Sequence, residues 1–538
     1  ITQYIVQHSV GAWLEEQKEI LLEKYQNENT AYWQAYQEVL RNLRVLDPAC
    51  GSGAFLVAVF NYLWVEWQIV LRELQTPSST PTNMLLADGL SFENSKQSWQ
   101  IRKAIIENNL FGVDLNMESV EITKLSLWIL QANKTVPLSD LSPNIKQGNS
   151  LIDDKNITEW AFDWQQAFPF QFDVVVGNPP YVVSKHLNKA QLKYFQQHYK
   201  SAMYQINLYL LFIEKTLSLI KSTSYVSFIV PNTWLINQTL ADFRKYLLDT
   251  VYINQITDLT KIKVFDDAVV LPVIFLFSHK FTDTIKIFDY VDETYRYKYS
   301  ISLQDIKEDK NYLINYQTEP IYNNLFKKII INTLPIGDIA DVSFGVKFYQ
   351  VDKGTPKQTR NIVDNQVFTH KKKYNNTCKM ILEGKDVSRY TLNWGGLWIE
   401  YGEWLAEPRH QSLFEGERIL VRRIVNERFS ATYVNENYCN NSLLHTIKVN
   451  NSNFHTKYLL GLINSKLFAF YFIKKYARDE KVFPEIRVSE LRELPIKDIS
   501  LEEQMTIVTK VDAILSLSQK LNKIQNDFLE LIESNFAK

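Results

Sequence analysis

Phe172-Asp173-Val174-Val175-Val176-Gly177-Asn178-Pro179-Pro180-Tyr181 is the stretch from which the rest of the chain is read. Phe172 to Val176 has the β-branched density of a buried parallel strand, and two prolines that cannot continue a central ladder end it. Asn178 therefore falls at the C-terminal edge of the strand, where open α/β sheets bind their ligands. A side-chain amide that accepts from an exocyclic amine, an aromatic ring that stacks on a heterocycle, and carbonyls left free beside a proline together suit a flat, nitrogen-bearing ring. Taken without its surroundings, the same run reads equally as a proline turn with a core tyrosine.

Upstream, Leu43 to Leu46 predicts a short strand, followed by Asp47-Pro48-Ala49-Cys50-Gly51-Ser52-Gly53-Ala54-Phe55-Leu56. A strand, a small-residue turn and a helix beginning near Gly53 let backbone approach a ligand closely, which favours a nucleotide-type loop over a plain turn. No lysine-bearing phosphate loop is present, so ATP is not the implied ligand. A second strand candidate ends at Asp114, whose carboxylate suits two ribose hydroxyls. The 67 residues from Asp47 to Asp114 far exceed the separation of about 20 in the dinucleotide-binding pattern and imply an insertion. Asn149 or Ser150, after Ile145, either touches the adenine of a cofactor or caps a turn. Phe265, before the acidic turn Asp266-Asp267, is either a second wall for a ring held by Tyr181 or a hairpin core residue.

The chain has 538 residues, 46% hydrophobic and 22% charged, enough for two or more domains with large cores. Its three scattered cysteines offer neither a disulfide framework nor a zinc cluster, and no metal site is expected. No signal peptide opens it and no apolar run reads as a membrane span, which predicts a soluble, cytoplasmic protein. It begins with Ile1, as expected of a fragment whose upstream part is absent. A formal charge of -1 conceals an asymmetry. Residues 1–160 carry 12 Lys and Arg against 19 Asp and Glu, and residues 361–500 carry 21 against 16. The basic part includes Lys371, Lys372, Lys373, Arg418, Arg422, Arg423 and Arg428, interleaved with Tyr374, Trp394, Trp398 and Trp404. These clusters form either a DNA-facing surface or an ordinary solvated one. Leu501, Met505, Val508, Val511, Ile514, Leu517, Leu521, Ile524, Phe528 and Leu531 recur at three- or four-residue steps, the pattern of a long amphipathic helix packed on its own domain or on a partner helix. Self-association through it is left open.

In order, DPACGSGAF at 47–55, GVDLN at 112–116, GNSL at 148–151, NPPY at 178–181, SFIVPNTWL at 227–235 and VFDDAVV at 264–270 resemble the successive motifs of gamma-class DNA adenine-N6 methyltransferases. The order also resembles the methylase and target recognition portion of type IIG restriction-modification enzymes. The resemblance implies a Rossmann-like methyltransferase domain over 1–300, a connecting segment over 301–334, a mixed α/β target recognition domain over 335–500 and a C-terminal helix over 501–538. It implies S-adenosylmethionine as cofactor and methyl transfer to N6 of an adenine extruded from a specific double-stranded DNA sequence. Asp47, Ala49, Gly51 and Gly53 resemble the cofactor loop, with Cys50 a small lining residue and not a nucleophile. Asp114 resembles the ribose-binding acid, and Asn149 stands where the family often has an aspartate. Asn178, Pro179, Pro180 and Tyr181 resemble the catalytic turn, and Phe265 the aromatic wall against the base. An upstream nuclease domain or a separate restriction subunit is the further partner this resemblance suggests, and a catalytically inactive DNA-specificity protein is the alternative from another class.

Overall fold

The computed structural model describes residues 1–26, 28–75, 96–132, 137–202, 206–264, 270–291, 293–425, 427–476 and 485–536. They form two compact units, Ile1–Tyr316 and Gln317–Lys538.

The first unit is built on a nine-stranded sheet whose strands are β1 (Val45–Asp47), β2 (Leu110–Asp114), β3 (Ile145–Gln147), β4 (Phe172–Gly177), β5 (Ile220–Pro231), β6 (Tyr252–Asp258), β7 (Pro272–Ser278), β8 (Thr284–Val291) and β9 (Thr294–Ser302). Their spatial order is β3-β2-β1-β4-β5-β7-β6-β8-β9. β3, β2, β1, β4 and β5 are mutually parallel, whereas β7 runs antiparallel between β5 and β6. All six residues of β4 are buried. Alternation sends Val174 and Val176 into one core and Val175 into the other, which Phe172 joins across a register shift between Phe172 and Val174, so the sheet is covered on both faces. One layer comprises the N-terminal helices with Ala54–Gln75 and Met117–Gln131; the other includes Leu208–Leu217 and Ala241–Thr250.

Two expectations are corrected here. Residues 54–74 are long and apolar enough to cross a membrane by length and composition. In the structure their helix is a core element, with Leu56, Val59, Phe60, Leu63, Trp67 and Val70 buried in the first core. The connecting segment expected over 301–334 is divided between the two units. Ile301, Leu303, Ile306, Ile314 and Tyr316 are buried in the first unit, because β9 is the edge strand that carries the chain back over that core. Thr333–Pro335 instead pairs with Pro495–Lys497 in the second unit. β7 takes β5 and β6 as its neighbours, and Phe265, with the turn of the hairpin in which it is a candidate core residue, lies outside the described residues.

The second unit contains a four-stranded sheet in the order Ala340–Phe344, Leu444–Val449, Arg418–Arg422, Ala431–Val434, and a smaller sheet around Cys378–Leu382 and Trp398–Glu400. Helices Thr456–Ile463 and Lys466–Tyr476 pack with the larger sheet into one core. Helix Leu501–Phe536 adds Val508 and Val511 to that core, whereas Ile514, Leu517, Leu521, Ile524 and Phe528 stay exposed.

Candidate active site

Four adjacent parallel strands deliver the motif residues to one edge. Asp47 ends β1, Asp114 ends β2, Asn149 follows β3 by two residues, and Asn178 directly follows β4. The register that pairs Asp47 with Gly112 and Leu46 with Val175 sets these ends side by side.

The loop after β1 turns through Gly51 and Gly53, both at positive φ (+52° and +82°), where an L side chain is strained. A Cβ on Gly53 would also lie 3.0 Å from two side-chain atoms of Thr123. Thr123 supports the loop directly by donating from Oγ1 to the Gly51 carbonyl at 2.8 Å. Asp114 accepts from Gly51 N–H through Oδ2 and from Asn116 N–H through Oδ1, both at 2.9 Å. Each carboxylate oxygen thus retains a lone pair for a ligand hydroxyl. Ser150 Oγ donates to the Pro48 carbonyl at 2.6 Å and ties the third strand's exit to the first. Asn149 is half-buried, its N–H on the Trp160 carbonyl and its Oδ1 accepting from Leu151 N–H.

Asp47 is almost fully buried. Its Oδ1 accepts from Ala49 N–H at 3.1 Å, and its Oδ2 is buried without a protein partner. Gly177 leaves it room, since a Cβ there would stand 2.7 Å from Asp47 Oδ1. Burial, with a smaller contribution from nearby Asp114, pushes the carboxyl up to about 7. Burial likewise pushes the Cys50 thiol well above its ordinary value, which fits a lining residue and not a nucleophile.

Beyond β4, Asn178 is exposed, Pro179 is buried, and Pro180 and Tyr181 are half-buried. The Tyr181 hydroxyl lies 2.7 Å from Asn178 Oδ1 and 2.9 Å from the Ile229 carbonyl, sharing one proton between the two acceptors. Its ring meets Tyr209 edge-on, with centroids 6.2 Å apart. The structure therefore brings together Asp47, Ala49, Gly51, Gly53, Asp114, Asn149 and the Asn178–Tyr181 turn; Phe265 lies outside the described residues. Thr123 and Ser150 are the supports that motif reading underweighted. Thr123 was detectable as a small polar residue three after Val120 and four before Leu127, on the buried stripe of an apolar helix.

The basic residues of the second unit divide. Lys371, Lys372 and Lys373 are exposed, and Arg422 and Arg428 are half-buried. Arg423 pairs with Glu485 at 2.7 Å. Both line a cavity of about 730 Å³ with His445 and Arg487. His445 is buried with Nε2 on the Ile486 carbonyl and Nδ1 unpartnered, and burial lowers its pKa from the ordinary value. Arg418, expected at a DNA surface, is instead fully buried, its guanidinium donating to the carbonyls of Gly416, Glu436 and Tyr438. Nη1 and Nη2 brace these loop carbonyls while the buried Nε has no protein partner, so here the charge is structural.

Residues 108–265 match the Eco57I restriction-modification methylase family, and residues 379–496 match the TaqI-like C-terminal specificity domain. The chain thus joins an Eco57I-like methylase region to a TaqI-like specificity domain. Among curated relatives, it is 26% identical over 267 residues to the type II restriction enzyme and methyltransferase RM.Eco57I of Escherichia coli, a match spanning 47% of this chain and 26% of that protein. It is 24% identical over 242 residues to the type II methyltransferase M.BstVI of Geobacillus stearothermophilus, spanning 45% of this chain and 38% of that one. The matched part is thus well under half the length of either relative. Among solved structures, the type IIL restriction-modification enzyme MmeI in complex with DNA shares the fold with a TM-score of 0.58 at 15% identity, covering 94% of this chain and 69% of that one.

Proposed function

We propose that the first unit is a Rossmann-like, S-adenosylmethionine-dependent methyltransferase acting on N6 of an adenine extruded from double-stranded DNA, and that the second unit selects the DNA sequence. The observation that carries this reading is the exposed Asn178 carbonyl, held by the Tyr181 hydroxyl on the same sheet edge as the Gly51–Gly53 loop and Asp114.

The residues present suit the cofactor. The loop glycines admit backbone contact, Asp114 retains acceptor capacity for ribose hydroxyls, and the buried, unpartnered Asp47 Oδ2 is an acceptor for an N–H-bearing or cationic group. When bound, the cofactor supplies an electrophilic sulfonium methyl group.

Adenine N6 is a weak nucleophile because its lone pair is delocalised into the ring, and inside a duplex it cannot be reached, so the base is extruded. Asn178 Oδ1 and the Pro179 carbonyl accept hydrogen bonds from N6, which favours a more tetrahedral nitrogen aimed at the methyl group. The hydrogen bond from Tyr181 fixes the Asn178 amide and leaves its second lone pair for the substrate. Tyr181 stacks on the base, with Phe265 as the second wall. Lys371, Lys372 and Lys373, with Arg422, Arg423 and Arg428, are the cationic side chains that this reading assigns to DNA contact.

The test is incubation of duplex DNA with the protein and methyl-labelled S-adenosylmethionine, followed by sequencing of the modified bases. N6-methyladenine within a fixed sequence context is expected, and label on cytosine or on protein would sink the reading. A second reading is favoured by the relatives named as both restriction enzyme and methyltransferase. In it, this chain is the methylase and specificity portion of a bifunctional enzyme or of a system with a separate restriction subunit. Cleavage of unmodified DNA by the product of the intact gene would establish it.

A further inference from the structure

The helix Leu501–Phe536 carries two stripes about 130° apart around its axis. One turns toward the second unit. Gln504 is fully buried, taking the N–H of His455 and donating to the carbonyls of Asn453 and Ile499. Val508 and Val511 are buried and Leu515 packs against the same core, and further along Asn522 Nδ2 donates to Asn393 Oδ1 at 2.7 Å. The helix is therefore anchored along its side and does not depend on another chain for its direction.

The other stripe is Ile514, Leu517, Leu521, Ile524 and Phe528, all between 39% and 65% exposed. Its 3-4-3-4 spacing is the seam of a two-helix coiled coil. It runs roughly 21 Å along the axis. Five large side chains at these exposures leave roughly 500 Å² of contiguous apolar surface, more than a monomer ordinarily shows outside a binding site.

We propose that this seam pairs with the same helix of a second copy, running antiparallel. Reversal about the midpoint between Leu521 and Ile524 sets each Leu521 against the partner's Ile524 and each Leu517 against the partner's Phe528, so a smaller residue faces a larger one at the ends. The flanking charges fix the direction. Lys520 and Asp527 are exposed at equivalent flanking positions of successive heptads, and antiparallel pairing brings each Lys520 to the partner's Asp527, giving two ion pairs. A parallel pair would put Lys520 across from Gln525 and give neither. Two copies would together remove roughly 1,000 Å² from water, the lower bound for a specific interface. Because each helix is already ordered on its own unit, pairing does not spend that area on folding it. This inference stands apart from the methyl-transfer reading.

The test is sedimentation of the whole chain across the micromolar range, expected to show a monomer–dimer equilibrium. Ile524→Lys should give a monomer of unchanged helicity and unchanged first-unit stability. Lys520→Asp should weaken the dimer roughly fivefold, and the double variant Lys520→Asp with Asp527→Lys should restore it. The three native cysteines are buried, so introduced thiols report cleanly. A Leu517→Cys chain mixed with a Phe528→Cys chain should form a disulfide-linked dimer, whereas neither should cross-link alone. A monomer at every concentration, a dimer indifferent to Ile524→Lys, failure of the double charge swap to restore pairing, or self-cross-linking of a Leu517→Cys chain would each overturn the proposal.

Discussion

Two buried charged residues show how differently the two units use charge. Asp47, in the first, sits at a strand end where Oδ1 is satisfied by Ala49 N–H and Oδ2 has no protein partner. Arg418, in the second, is equally buried but donates to three loop carbonyls. Each also keeps one buried atom without a protein partner, Asp47 Oδ2 and Arg418 Nε. Neither burial nor an unsatisfied atom separates the two roles; place does, since Asp47 ends a strand at the sheet edge that gathers the motif residues, whereas Arg418 braces loop carbonyls.

The largest test of this contrast is Asn178→Ala. If the first unit's edge is catalytic, methyl transfer should fall by roughly 10²- to 10³-fold with cofactor affinity nearly unchanged, measured by label transfer and by calorimetric titration. Next, Arg418→Met should destabilise the second unit by about 3 kcal/mol by orphaning loop carbonyls, while thermal unfolding of the first unit is unmoved. If DNA affinity fell with no loss of stability, the brace would be wrong. Tyr181→Phe removes the hydroxyl that holds Asn178 but keeps the ring, so turnover should drop about tenfold, whereas Tyr181→Ala should lose substantially more if the ring stacks on a base.

A pH dependence sharpens the Asp47 side of the comparison. Its carboxyl is held up to about 7 in the folded chain against an ordinary 3.8. Between those values the folded state binds the extra proton, so the contribution of Asp47 to stability falls as pH rises through the window. Asp47→Asn should therefore raise the melting temperature of the ligand-free chain by about 3 °C or more at pH 8 and much less at pH 4. The smallest effect expected is from Lys372→Ala, which should leave stability within about 0.5 kcal/mol of the parent and reduce the salt slope of DNA binding by about one.

The first half of the sheet was legible because buried parallel strands are continuous apolar runs that stop on Asp, Gly and Pro. Asp47, Asp114 and Asn178 could be assigned to strand ends from those stops alone. β8 and β9 were not legible as a continuation of the same sheet, since edge strands such as Thr294–Ser302 alternate apolar and polar residues like any surface hairpin. Charge patterning misplaced Arg418, because a guanidinium has the same letter whether it meets phosphate or carbonyl. Periodicity found the C-terminal helix but merged its stripes, since Val508 and Val511 pack inward while Leu517 and Leu521 do not. Only the position of the neighbouring core divides one stripe from the other.

The strand order has a kinetic consequence. β1 lies between β2 and β4, which follow it in the sequence by more than 60 and more than 120 residues. Each pairing closes a long loop before any contact repays it, so the edge that carries Asp47, Asp114 and Asn178 is assembled by the most non-local strand pairings in the sheet. During synthesis β1 can pair with β2 first, and its other flank waits until β4 has emerged. The full edge, from Asp47 to Asn178, is therefore complete only once β4 is in place.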